Sequence, residues 1–176
     1  MSTLKVNEIQ NTSGNADITN VGKILQVQTT ARTSAMSGST SGGTSIEVMT
    51  VNITPISTSN KILVNIMCSN DTGGNHNGMA FIVTRDNTQI IQGDTASNRA
   101  RVAASMEFDD SGYKVPTTYI QCIDSPSSTS QLTYALKFYD ASANGGDYYI
   151  NRDRNGGNNA DSLRPVSFIT VMEVAA

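Results

Sequence analysis

The sequence predicts an all-β protein: an antiparallel jelly-roll sandwich of about nine or ten strands with a short extended N-terminal arm. Three observations predict it. Short segments alternate apolar and polar side chains, the period of a half-buried strand. Gly, Asn, Ser and Pro clusters bound these segments at short intervals, as turns require. No stretch of a dozen residues carries an i, i+3, i+4, i+7 apolar stripe free of Gly or β-branched runs, so helix should be nearly absent.

Residues 1–21 space their apolar side chains (Leu4, Val6, Ile9, Ile18, Val21) too widely to bury one another. Such a segment is a frayed terminus or an arm that gains order by docking elsewhere. Residues 22–176 form the predicted sandwich. Strands are expected at 22–31 and 44–53, flanking a Ser, Thr and Gly loop over 34–43. In the second of these the inward parity changes between Val48 and Val51, the signature of a one-residue irregularity. KILVNIMC (61–68) places Ile62, Val64, Ile66 and Cys68 on the core face. MAFIVTRDNTQIIQG (79–93) reads as a hairpin turning at Arg85-Asp86-Asn87-Thr88, because Asp and Asn tolerate the left-handed backbone of a tight turn. Strands over 101–108, 117–124, 131–140 and 147–152 follow, and Leu132, Tyr134, Leu136 and Phe138 mark the inner face of the third of these. The closing VSFITVMEV (166–174) is apolar on both parities and reads as a central strand covered on both sides. There Ile169 and Val171 need an apolar neighbour, which either a subunit axis or an internal second layer supplies.

Composition excludes whole classes of function. Ser (20), Thr (20) and Asn (17) far outnumber the 27 charged residues, and His76 is the single histidine. Acid–base catalysis therefore has little to work with. A net charge of −3 with scattered Lys and Arg argues against nucleic acid, whose phosphates need clustered cations. No apolar run approaches the length of a membrane span, and MSTLKVNEIQNTSG lacks the basic and apolar regions of a secretory signal, so a soluble product is expected. Cys68 and Cys122 stand in separate apolar stretches and read as reduced thiols.

Candidate chemistry is sparse. His76 lies in an Asn/Gly loop (70–78) with no Gly-x-Ser-x-Gly elbow elsewhere to make it a hydrolase base, and a solvated histidine is the better reading. Asn151-Arg152-Asp153-Arg154-Asn155-Gly156 imitates the opening of a calcium loop, but its twelfth place is Ser162 and two arginines oppose a cation, so no metal and no cofactor are assigned. Asp94, Glu107, Asp109, Asp110 and Asp124 are the carboxylates a glycan depolymerase could use, though their spacing pairs none of them. Tyr139, Tyr148 and Tyr149, with His76, are candidates for surface recognition; one of the adjacent tyrosines should instead point inward.

Taken in order, STLKVNEIQNTSG, GKILQVQ, NITPISTSNKILVNIM, SPSSTSQLTYALKFY, YINR and SFITVMEVAA resemble a family of tail-fibre-like structural proteins of tailed phages, especially marine ones. The resemblance implies a virion protein, made in the host cytoplasm, whose jelly-roll head is similar to the tumour-necrosis-factor and complement-head trimers. It implies no catalytic residue. On that basis the expected partners are two further copies of the chain, other tail or capsid proteins, and a host-surface glycan or protein, with neither nucleic acid nor membrane insertion. Leu4, Val6 and Ile9 would attach the arm to the particle, and the loops 70–78, 93–100 and 140–147 would face the host. The short passage from arm to β domain also suits a capsid decoration protein.

Overall fold

Alternation decides which side of each strand is buried, and β4 (Lys61–Thr72) shows it most plainly. Ile62, Val64, Ile66 and Cys68 are fully buried while Leu63, Asn65 and Met67 between them are half-exposed. The computed structural model describes residues 22–73, 78–106, 112–142 and 145–176. The other strands are β1 (Ile24–Arg32), β2 (Met36–Thr40), β3 (Ser45–Ile53), β5 (Met79–Arg85), β6 (Thr88–Ile91), β7 (Ala104–Ser105), β8 (Thr117–Asp124), β9 (Leu132–Asp140), β10 (Gly146–Ile150) and β11 (Ser167–Val174). All pair antiparallel, in one sheet of six strands and one of five.

Two strands of the larger sheet are composite. β10 and β11 run along β4 in the same direction, Tyr148–Ile150 opposite Thr72–Asn70 and Phe168–Val174 opposite Met67–Lys61. They are two halves of one strand, interrupted by the excursion 151–166. Likewise β1 pairs β11 and β2 pairs β10, so the first strand is a single edge broken at 33–35. In the smaller sheet β6 and β7 likewise share one edge of β5, opposite Arg85–Val83 and Phe81–Ala80, and count as one strand; counting each composite once, chain order across the sheets runs 1-8-3-6 and 2-7-4-5, the jelly-roll order.

The core lies between the two sheets. Ile62, Val64, Ile66, Ile169 and Val171 face Phe81, Val83, Leu136 and Phe138, all fully buried. The Phe138 and Tyr148 rings stack at 4.8 Å between centroids. At one end the Asp124 carboxylate accepts from Arg85 and, at 2.7 Å, from the Tyr134 hydroxyl, tying the sheets together. Burial and that carboxylate push the Tyr134 pKa up, so its hydroxyl remains a donor. Cys68 and Cys122 are free. Val64, not Cys68, lies opposite Cys122, so about 13 Å of strand separates the thiols, too far for a disulfide. Burial raises the Cys68 thiol to about 12, leaving it protonated and inert.

Several sequence expectations change here. The loop expected over 34–43 contains β2, hidden because Gly, Ser and Thr carry so little apolar signal. Gly38 is required there: a Cβ would stand 2.9 Å from the Tyr148 hydroxyl and 3.2 Å from its ring. Gly38→Ala is expected to push that ring off Phe138 and cost about 1–3 kcal/mol in chemical denaturation. The strand expected over 101–108 shrinks to Ala104–Ser105 within the described residues. The irregularity in β3 falls between Glu47 and Met49, letting Val48 and Met49 both be buried. The hairpin turn is as expected, with Asp86 at φ 48° and Asn87 at φ 67°. β11 is central in its sheet but covered on one side only: Ser167, Ile169, Val171 and Glu173 are buried, whereas Phe168, Thr170, Met172 and Val174 are half-exposed.

Candidate functional site

The sandwich has two ends and one unusual face. At the first end the chain enters: the Gly22 amide donates to Ala175 O at 2.9 Å, and the Ala175 amide returns a bond to Lys23 O at 2.9 Å. Beside this root Glu173 is fully buried, and its carboxylate accepts from Gln26 Nε2 (2.6 Å), Asn60 Nδ2 (2.6 Å) and the Ile56 amide (2.7 Å). Burial alone would raise its pKa. The bonds from Asn60, Gln26, Ile56 and Ser57 outweigh burial and hold it below the ordinary carboxyl range. Three of the segments that carry the family resemblance, 22–28, 52–67 and 167–176, meet at this one carboxylate.

The opposite end gathers loops. The Gly73 amide donates to Asp147 O (3.0 Å) and the Ala141 amide to Gly78 O (2.9 Å), joining the connections after β4 and β9. A cavity of about 320 Å³ is lined by Gly78, Ala141, Arg99 and Ala100, which brings the β6–β7 connection to the same place. The three loops singled out in the sequence therefore share one end. β4, with 12 residues, sets the separation from the arm root at about 40 Å.

The face is the outer side of the larger sheet. Across its four strands Val27, Met172, Leu63 and Ile123 stand in register, as do Ala31, Phe168, Met67 and Tyr119 four residues further along. Between these apolar rows lies a polar one, Thr29, Thr170, Asn65 and Gln121. Its groups bond among themselves and to a neighbour: Thr29 with Thr170, and Asn65 Oδ1 accepting from Gln121 Nε2 (2.7 Å) and the Tyr119 hydroxyl (3.1 Å). Among the described residues the exposed large apolar side chains are Ile24, Leu25, Val27, Ile56, Tyr113, Tyr119, Ile123, Leu163 and Val166. Every one belongs to this sheet or to a segment leading into it, and none to the second sheet.

Further along the same outer side the excursion 151–166 lies over the sheet. The Arg154 amide donates to Asp71 Oδ2 (3.2 Å) and the Arg152 guanidinium sits 5.5 Å from the Tyr149 ring centroid. Asp71 is fully buried as a result. Where the sheet is covered its outward groups thus include ionised side chains, and where it is bare two apolar rows flank one uncharged polar row.

The individual candidates fare differently. Leu4, Val6, Ile9, His76, Glu107, Asp109 and Asp110 lie outside the described residues. Ile169 and Val171, offered for subunit packing, are buried against the second sheet of their own chain, so the internal layer is their neighbour. Tyr148 is likewise a core residue, because its parity turns it onto Phe138 rather than outward. Tyr149 and Tyr139 are half-buried on the outer sides of different sheets and form no common patch, and the Tyr149 ring already carries Arg152. In the calcium-like loop, Asn151 spends its amide on Arg32 O (2.6 Å) and its oxygen on the Ser167 hydroxyl (2.6 Å), while Asp153 Oδ1 accepts the Gly156 amide (2.5 Å). Asp124 is engaged by Arg85 and Tyr134, and Asp94 is exposed. Glu173 and the three rows were not singled out in the sequence, and Asn151 stood out there only as the first place of the calcium-like loop. The rows had a signal, the second apolar parity of 166–174, which was read as cover rather than as exposure.

No protein-family model matches the chain, and no curated protein matches it. Among solved structures it is similar to that of the infectious bursal disease virus Gt strain, at 14% identity and a TM-score of 0.44, covering 97% of this chain and 43% of the other. The VP2 subviral particle of infectious bursal disease virus gives 14% identity and a TM-score of 0.40 over 98% of this chain and 43% of that one. The Gx strain gives 15% and 0.39, over 98% and 42%. This chain spans less than half the length of each.

Proposed function

We propose that this is a non-enzymatic virion structural protein of a tailed phage: a short appendage, assembled as a trimer, anchored by residues 1–21 and presenting its loop end to the host surface. The observation that carries the reading is the polarity of the sandwich. The root of the arm at Gly22 and the gathered loops after β4, β6 and β9 stand at opposite ends, about 40 Å apart. An anchor at one end and polar loops on a rigid scaffold at the other suit attachment and recognition. The resemblance of the ordered sequence segments supplies the virion context, and the meeting of three of them around Glu173 supports it.

A second reading, capsid decoration, is favoured by one feature. The Gly22 amide is already bonded to the body of the domain, leaving no shaft between arm and head. Both readings require the arm. Deletion of residues 2–20 is expected to leave a folded protein that is absent from particles, as immunoblotting of purified virions will show; normal incorporation would refute the anchor. Adsorption separates the two readings, since particles without a decoration protein still bind cells and particles without the appendage do not.

A further inference from the structure

The cavity at the loop end differs in kind from two other hollows of the sandwich. A groove between the edges of β1 and β3 is lined by Arg32, Glu47 and several hydroxyls, and a hollow on the outer side of the smaller sheet by Glu47, Asp86 and further hydroxyls. Both are polar and hold a carboxylate. The loop-end cavity, about 320 Å³, has an apolar floor that includes Ala80, Ala100, Val102 and Ala141. Among the described residues its polar side chains are Ser105 and Arg99, and no carboxylate lines it. Ala80 lies on the outward parity of β5, since Phe81 and Val83 are in the core, and it is in register with the half-buried Tyr139. Tyr139 therefore stands beside the floor.

The wall is held in place before any ligand arrives. Arg101 pins the β6–β7 connection, its Nε donating to Gly93 O (2.7 Å) and its carbonyl accepting from Gln89 Nε2 (2.9 Å), and the Ala103 amide ties the connection to Phe81 O (2.9 Å). A turn closed by the Arg99 amide on Ala96 O (3.1 Å), with Ser97 at φ 50°, then presents Arg99. Its guanidinium is exposed and makes no ion pair or side-chain hydrogen bond among the described residues. An open cation beside an apolar floor selects an anion joined to an apolar group. The volume stands at the small end of the range for small-molecule sites, about 300–1,000 Å³, which suits one ring. The apolar surface also ends at the floor, because Thr95, Ser97 and Asn98 occupy the connection beside it and Ser142 follows Ala141. An acyl chain would run out of apolar contact there, whereas the hydroxyls of a sugar would meet hydroxyls and amides.

We propose that this cavity binds one acidic, N-acetylated sugar ring of a cell-surface polysaccharide, with its carboxylate on Arg99, its acetyl methyl on the floor of Ala80, Ala100 and Val102, and its hydroxyls toward Ser105 and Tyr139. The proposal rests on the reading that the loop end meets the host, and it names the ligand class there. Saturation-transfer NMR of the full chain with millimolar N-acetylneuraminate is expected to show binding. Glucuronate, which lacks the methyl, and N-acetylglucosamine, which lacks the carboxylate, are each expected to bind more weakly. Arg99→Gln should weaken binding of N-acetylneuraminate by about ten-fold or more, and Ala100→Leu, which fills the cavity, should abolish it. Both positions are exposed, so far-ultraviolet circular dichroism should not change, and Arg164→Gln, at an exposed arginine elsewhere, should bind as wild type does. Absence of binding by N-acetylneuraminate, equal binding by the three sugars, or wild-type binding by Arg99→Gln and Ala100→Leu would overturn the site. Binding of decanoate in place of the sugar would make it an acyl site and overturn the sugar. Adsorption tests the underlying reading separately: if the pure protein binds the sugar while particles carrying Arg99→Gln adsorb normally, the sugar site stands and the host-contacting role of this end falls.

Discussion

Glu173→Gln is expected to destabilise the fold by about 2–4 kcal/mol near neutral pH, because a charged acceptor of several short bonds is replaced by an amide whose NH2 must face donors. The carboxylate receives Gln26, Asn60 and the Ile56 amide, and so ties the start of β1 and the connection from β3 to β4 to the last strand at one point. The pH dependence tests the charge itself. A carboxyl held below its ordinary value stabilises the fold fully above that value, about 4.3, and loses the contribution as pH falls through the lower folded pKa. Wild type should therefore lose stability in acid more steeply than Glu173→Gln, and the difference between them should shrink. Denaturant midpoints measured from about pH 7 down to about pH 3 check this. Parallel curves would mean that Glu173 is not the ionised hub of this end.

Sequence patterning reached the strands that obey one period and missed the structure built from polar side chains. β9 was legible nearly in full because Leu132, Tyr134, Leu136 and Phe138 recur at every second residue and are all buried, and the bounds of β8 were legible from the Pro116 and Ser125 that flank it, although Tyr119 and Ile123 on its outer side break the alternation. β2 was not, since its place in the sheet depends on Gly38 yielding space to a tyrosine more than a hundred positions away. The composite strands were invisible for a similar reason. What joins β10 to β11 across 151–166 is a set of buried Asn, Asp and Ser residues that a sequence reader assigns to loops. The site followed the same division. That one of Tyr148 and Tyr149 must face inward was legible from parity alone. Which parity of 166–174 would be left bare was not, because both are apolar and only the position of the second sheet chooses between them.

The junction that holds the composite strands together gives the second large effect. Asn151 is buried at φ 56°, where its amide nitrogen bonds Arg32 O at 2.6 Å and Ser34 O at 3.3 Å. Its oxygen accepts the Ser167 hydroxyl at 2.6 Å, and that same hydroxyl oxygen accepts the Ser69 amide at 2.9 Å. One side chain thus bridges the break in the first strand and the break in the last, next to the strand that runs unbroken between the two halves of the sheet. Asn151→Gly keeps the left-handed backbone and loses the bonds, so it should cost about 2–3 kcal/mol. Asn151→Ala adds the strain of a Cβ at positive φ, about 1 kcal/mol more. Asn151→Asp is nearly the same shape but turns a carboxylate toward the Arg32 and Ser34 carbonyls, and is expected to be the worst of the three at neutral pH, at about 3–5 kcal/mol. A carboxyl so placed has its folded pKa raised, so its penalty is greatest above that pKa and is relieved as pH falls through it. The stability of Asn151→Asp relative to wild type should therefore improve in acid, while that of Glu173→Gln improves only because wild type declines. One end of the sheet and the junction between its halves then answer to pH for opposite reasons. If Asn151→Asp matched Asn151→Gly at every pH in denaturant titrations, the Asn151 amide would not be the donor that closes the two breaks.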